Sequence, residues 1–349
     1  MIKKYFFIIL CGAFAFSRQS VRFEPDVLHQ DILNGIALLH NGEYIESIAY
    51  FSELKSKYPG HPAPWFFHSS LLEWLMVDYR DFSRSTEFNK AITETVTLAD
   101  RYVSGEGKNN PIYVFLYGGA VGFRGIHEAD KGHWFRAFRD GLTGYHNLKN
   151  ALALAPDLYD AYYGLGMFYY WRGKLSSKYK WLVSFRNDKE KGLAMVTDAW
   201  VNGLYAKIEA GTSLIRINYE DKRYEEALRA ASAVLKEKPD YVYCYWYLGR
   251  IQIMLRNYES ALESWTWLEN YFKKLESKHN KKFGSALHEV FYFKGLTLYN
   301  LKKMNKAENS FRHALELAEE RKVQQNLNSE IQVFISESED YIKKCIRSE

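Results

Sequence analysis

Cysteine, proline and unbalanced charge are all scarce in this chain, and each scarcity excludes something. Three cysteines in 349 residues cannot staple a small disulfide framework. Cys11, Cys244 and Cys345 also lack the paired spacing of zinc or redox motifs. Seven prolines leave room for long helices, because an interior proline removes a backbone donor and clashes with the preceding turn. The 47 basic residues are interspersed with 42 acidic ones, for a formal charge of +5, which argues against a polyphosphate partner. Beyond the first twenty residues no stretch is long and apolar enough to cross a bilayer.

What is abundant is apolar and aromatic surface. Apolar residues make up 47% of the chain, with 27 Tyr and 9 Trp among them, which excludes intrinsic disorder. A compact chain of this length would ordinarily split into two domains. An array of repeats escapes that limit, since each unit buries surface only against its neighbours.

The N-terminus reads as an export signal over residues 1–17. Lys3 and Lys4 precede an apolar run from Tyr5 to Phe16, and Ala13-Phe14-Ala15 and Ala15-Phe16-Ser17 offer small-residue cleavage sites. The run is short for a hydrocarbon core. Cys11 follows the bulky Leu10, where a lipid-attachment signal wants a small residue. The expected location is the periplasm or cell envelope.

Self-similarity is the main signal. One unit has Tyr245, Leu248, Gly249, Ala261, Trp265 and Leu268; a later one has Phe291, Gly295, Leu298, Ala307, Phe311 and Ala314. Near the N-terminus, Gly35, Leu38, Ser47, Phe51, Leu54 and Pro59 follow the same offsets. A fourth unit, with Ile215, Ala227, Ala231, Val234 and Pro239, stands one period before the Gly249 unit. The glycine of a first helix and the Ala or Ser of a second are small where two helices cross closely, and large residues flank them. The closing Pro stops the second helix.

These offsets resemble those of the tetratricopeptide-repeat superfamily, in its exported bacterial form. The resemblance implies an all-α, right-handed superhelical solenoid of antiparallel helix hairpins with a C-terminal capping helix. About seven hairpins fill residues 18–349 on this reading. Those within 62–207 are elongated or looped, because the second helices that match Gly118 and Gly166 arrive late. The cap is expected at 324–346, and the clearest loop at Gly105 to Pro111.

The resemblance also implies where a partner sits: on the concave wall, beside the packing glycines. Carried over by position, the expected partner-binding residues are Phe123, Tyr163, Tyr170, Trp171, Arg216, Tyr219, Trp246, Arg250 and Tyr292. Arg216 and Arg250 are one repeat apart and expected to stand one above the other, two guanidinium forks suited to a carboxylate. The Lys and Asn set of the family's carboxylate-clamp members is absent. The bland alternative has both arginines solvated or paired with glutamates and the aromatics as inter-repeat core.

Other clusters carry weaker chemistry. His127, Glu128, Asp130 and His133 are metal-ligand types, but not at the spacing that puts two imidazoles on one helical turn. An alternative metal-dependent enzyme would use this His127–His133 cluster. The expected reading is structural, with Glu128 and Asp130 opening a helix near Lys131 and an ion-pair network around Arg124, Arg136 and Arg139. Basic and aromatic residues over 172–191 offer a membrane contact, as would an uncleaved signal; the preferred reading folds that segment back on the solenoid. The lysine run from Lys273 to Lys282 lacks interleaved aromatics, so no nucleic acid is expected. No phosphate-cradling glycine loop or nucleophile triad appears, and no cofactor is implied. The function expected is a non-catalytic adaptor holding a protein or peptide partner, with a small-ligand or sugar binder as a further alternative.

Overall fold

The computed structural model describes residues 20–79, 83–178, 188–279, 286–325 and 329–347. The expected export signal and the segment 179–187 lie outside them. Among the described residues there are fifteen α-helices and no strand. Successive helices pair as α1 (Asp26–His40) with α2 (Tyr44–Lys57), α3 (Pro62–Tyr79) with α4 (Ser85–Val103), and α5 (Pro111–Asp130) with α6 (Trp134–Leu154). Then α7 (Tyr159–Lys178) pairs with α8 (Asp188–Asn202), α9 (Lys207–Glu220) with α10 (Tyr224–Glu237), and α11 (Val242–Met254) with α12 (Tyr258–His279). The last pair is α13 (Leu287–Asn300) with α14 (Met304–Gln325), and α15 (Ser329–Ile346) packs against it as a cap. The architecture is a right-handed all-α solenoid of antiparallel hairpins. The segment 105–111 holds a single 3-10 turn, Glu106–Asn109, before Pro111 opens α5.

One backbone device closes five of the hairpins. At the turn between first and second helix, Gly42, Gly132, Lys222, Arg256 and Lys302 all take positive φ, between 59° and 79°. In each, the next residue's N–H donates to the carbonyl five residues back: Glu43 to Leu38, His133 to Glu128, Arg223 to Asn218, Asn257 to Gln252 and Lys303 to Leu298. This left-handed closure satisfies carbonyls that a helix end would otherwise leave open.

Small residues set the crossings. A Cβ built on Gly249 would lie 2.4 Å from the Trp265 ring, and one on Gly295 would lie 2.9 Å from Phe311. Ser47 Oγ donates to the Gly35 carbonyl at 3.1 Å. In the elongated hairpins the crossing is glycine on glycine. A Cβ on Gly144 would meet the Gly118 carbonyl at 2.9 Å, and one on Gly192 would meet the Gly166 carbonyl at 2.5 Å. The steps from Gly118 to Gly144 and from Gly166 to Gly192 are equal in length, a sequence signal of the shared elongation.

The N-terminal hairpins also fold onto the C-terminal half. Phe23 is buried between Phe67 and Tyr205, with ring centroids 5.8 and 4.6 Å away. His40 Nε2 meets Glu209 at 2.9 Å, and the hydroxyls of Tyr79 and Tyr271 are 3.1 Å apart. As a result α3 covers part of the inner wall made by α9, α11 and α12. At the other end, Tyr341 of α15 stacks on Phe311 at 5.0 Å. Cys244 and Cys345 are buried in separate apolar clusters, and burial pushes the Cys244 thiol up.

Candidate partner-binding surface

The first helices of the central hairpins bring most of the expected residues to one wall, but their neighbours have already claimed several. Trp246 is fully buried, and its indole N–H donates to the Asp78 carbonyl at 3.1 Å. Tyr170 is buried too, its hydroxyl donating to Asp221 at 3.0 Å. The Tyr292 hydroxyl donates to Glu337 of α15 at 2.5 Å, so this ring seats the cap. Phe123 lies in an apolar cluster with Phe66 and Phe88, at 6.4 and 6.3 Å. Trp246, Tyr170 and Tyr292 are buried between helices, and Phe123 is half-buried.

Arg250 likewise has partners. It reaches Glu289 of α13 at 3.2 Å and lies over the Phe293 ring at 4.9 Å. Sequence reasoning missed Glu289, since a first-helix residue of the following repeat has no marker of which way it points.

Arg216 differs. It comes from α9, with its guanidinium 5.5 Å from the centre of the half-buried Trp171 ring. Tyr163, Tyr243, Tyr247 and Glu73 lie close enough to act on its charge. Its Nε, like that of Arg250, is buried without a hydrogen-bond partner. Glu73 is the carboxylate whose charge acts on it. Around it the aromatics form a continuous wall. The Tyr163 hydroxyl lies 3.1 Å from Ser213 Oγ, and burial pushes that phenol up to about 12. Tyr219 packs edge-on to Tyr247 at 5.5 Å, and Tyr247 tilts against Tyr243 at 4.9 Å. Tyr247, absent from the sequence expectation, joins the ring of Tyr219 to the Arg216 site. A half-buried cation among π faces is held by cation–π attraction, but its N–H donors still call for an acceptor.

The segment from residue 214 to residue 265 matches the family model described as tetratricopeptide repeat. That segment of the chain is similar to the tetratricopeptide repeat. No curated protein matches it. Among solved structures, this repeat protein is similar to PilW, a widely conserved type IV pilus biogenesis factor. The identity is 11%, with 76% of this chain and 97% of that chain covered and a TM-score of 0.44. It is similar to the C-terminal part of a TPR repeat-containing protein from Cytophaga hutchinsonii, at 14% identity, 87% and 99% coverage and a TM-score of 0.42. It is also similar to human IFIT1, solved as a dimer with m7Gppp-AAAA, at 14% identity, 91% and 71% coverage and a TM-score of 0.44.

In the histidine-carboxylate cluster of the repeat protein, the Asp130 side chain lies outside the described residues. Glu128 stands in the last turn of α5 rather than opening the next helix, which starts at Trp134. The expectation of a helix beginning near Lys131 is therefore corrected: the Gly132 turn separates the two elements. Glu128 is drawn into a surface network, 3.0 Å from His133 Nδ1 and 3.5 Å from Arg136, and these contacts hold its carboxyl below the usual range. His127 instead packs against Phe88 at 5.0 Å. Among the described residues no three His, Cys, Asp or Glu side chains gather to hold a metal ion. In the lysine run, Lys273 pairs with Glu269 at 2.6 Å and Lys278 lies 3.6 Å from Glu46; Lys281 and Lys282 lie outside the described residues.

Proposed function

We propose that this repeat protein is a non-catalytic adaptor that holds a protein partner by an acidic group, a side-chain or C-terminal carboxylate, at Arg216. The array itself is of the protein-interaction scaffold type, and the finer reading rests on one observation. A guanidinium mostly withdrawn from water has aromatic faces around it and an Nε with no acceptor. Burying an unpaired cation is costly, and a planar carboxylate is the acceptor that matches the guanidinium fork. Trp171, Tyr163, Tyr219 and Tyr247 would then flank the neighbouring residues of the partner. Rigid aromatics beside an arginine are the side chains that dominate recognition surfaces. The apolar N-terminal run supports a place in the cell envelope for the adaptor.

The experiment is affinity purification with crosslinking from native envelopes, comparing the wild type with Arg216→Gln and Trp171→Ala. Retention of the partner is expected to fall about tenfold or more with Arg216→Gln, the loss of a charge-assisted pair. Thermal midpoints report that the variants are folded. Equal retention by a folded Arg216→Gln chain rejects the reading.

A further inference from the structure

Among the described residues, exposed aromatic side chains gather at the start of α6, at the turn end of the α5–α6 hairpin. Trp134, Phe135 and Phe138 are 72%, 82% and 67% exposed, and Ile126 of α5 is 60% exposed. Trp134, Phe138 and Leu142 are four residues apart and so share one helical face, with Phe135 beside it. Soluble proteins scatter single apolar residues over their surface; three adjacent aromatic side chains this exposed form a patch that marks an interaction site. The structural contribution of these residues is small. Further along this face the half-buried Tyr145 meets Phe168 at 4.8 Å.

The charges around the patch are arranged by sign. Arg136 and Arg139 are 65% and 61% exposed, whereas the acidic partners Glu128 and Asp140 are 15% and 3% exposed. Asp140 is held from beneath by Arg124 at 2.6 Å. Cations therefore face outward and their counter-charges lie inward. In Trp134-Phe135-Arg136-Ala137-Phe138-Arg139 the two classes alternate within one and a half turns.

We infer that this tip docks onto an anionic lipid surface. The rings would enter the boundary between headgroups and acyl chains, and the arginines would extend to lipid phosphates. Interfacial helices combine aromatics with Lys or Arg in this way, because long cationic side chains keep their heads in the polar layer while the rings sink below it.

The test uses the full chain and its variant Trp134→Ala/Phe135→Ala/Phe138→Ala, with vesicles of phosphatidylcholine alone or mixed with phosphatidylglycerol. Cosedimentation with the mixed vesicles is expected to fall about tenfold or more in the variant, as three largely exposed rings are lost. The variant's thermal midpoint should match the wild type's. Acyl-chain quenching of the fluorescence difference between wild type and Trp134→Tyr reads insertion at this tip, whatever the N-terminal segment contributes. Quenching in the anionic vesicles supports the inference. No quenching, or equal cosedimentation of the triple variant, overturns it. A protein co-purifying with the wild type but not the triple variant, with vesicle binding unchanged, also overturns it and assigns the tip to a protein.

Discussion

The indole N–H of Trp246 donates to the backbone carbonyl of Asp78 at 3.1 Å, joining α11 to the end of α3 across 168 residues of sequence. Around that bond the Trp246 ring contacts Trp265 and Phe272, each with centroids 6.1 Å away. Tyr79 packs on Phe272 at 5.6 Å from the N-terminal side. A solenoid depends mostly on contacts between neighbouring repeats; this cluster adds a tie between distant ones.

Trp246→Ala is expected to cost about 3–5 kcal/mol, the usual penalty for emptying a large buried site. Because the tie is lost along with the packing, amide hydrogen exchange should speed up in α1 to α3 more than in α13 and α14. Trp246→Phe keeps most of the packing and loses the indole hydrogen bond, at about 1 kcal/mol. Uniform exchange in the alanine variant would show that the N-terminal hairpins do not depend on this bond.

Two glycines in similar helices should respond in opposite directions. A methyl group on Gly249 meets the Trp265 ring at 2.4 Å, while one on Gly141 meets nothing within 4 Å. Gly249→Ala is expected to destabilise by about 1–3 kcal/mol through overpacking. Gly141→Ala should stabilise α6 by about 0.5–1 kcal/mol through helix propensity. Denaturant midpoints of the two variants check the sign.

The left-handed turn positions offer a separate gain. Lys222, Arg256 and Lys302 hold φ near 60° where two other repeats have glycine. Lys302→Gly is expected to raise stability by roughly 0.5–1 kcal/mol, since a Cβ is strained in that region. Thermal unfolding of the single variant measures it, and a lowered midpoint contradicts the account.

Acid should weaken the fold through His61. Burial lowers its pKa from 6.5 to about 4, and its Nδ1 accepts the Ala63 N–H at 3.1 Å, a role open only to the neutral ring. The unfolded state binds the proton more readily, so stability is full above pH 6.5 and falls as pH drops towards 4. The loss attributable to this group amounts to about 3 kcal/mol. His68, also lowered to about 4 by burial, adds in the same direction. His61→Gln retains an acceptor without the titration, so its stability should fall less steeply between pH 6.5 and 4 in urea melts.

What the sequence by itself determined is the repeat: helix pairs crossing at Gly35, Gly249 and Gly295, where neighbouring residues along the chain supply both sides of the contact. Such units are legible because a hairpin buries its residues locally, at fixed offsets. The tertiary structure alone decided which aromatics and arginines remain available. Trp246 is taken by Asp78 and Arg250 by Glu289, while Arg216 stands against the Trp171 ring. Trp134, Phe135 and Phe138 look like core residues by composition yet face solvent. Those outcomes depend on how far each hairpin projects and on which distant repeat folds against it, and neither distance is written in a local pattern.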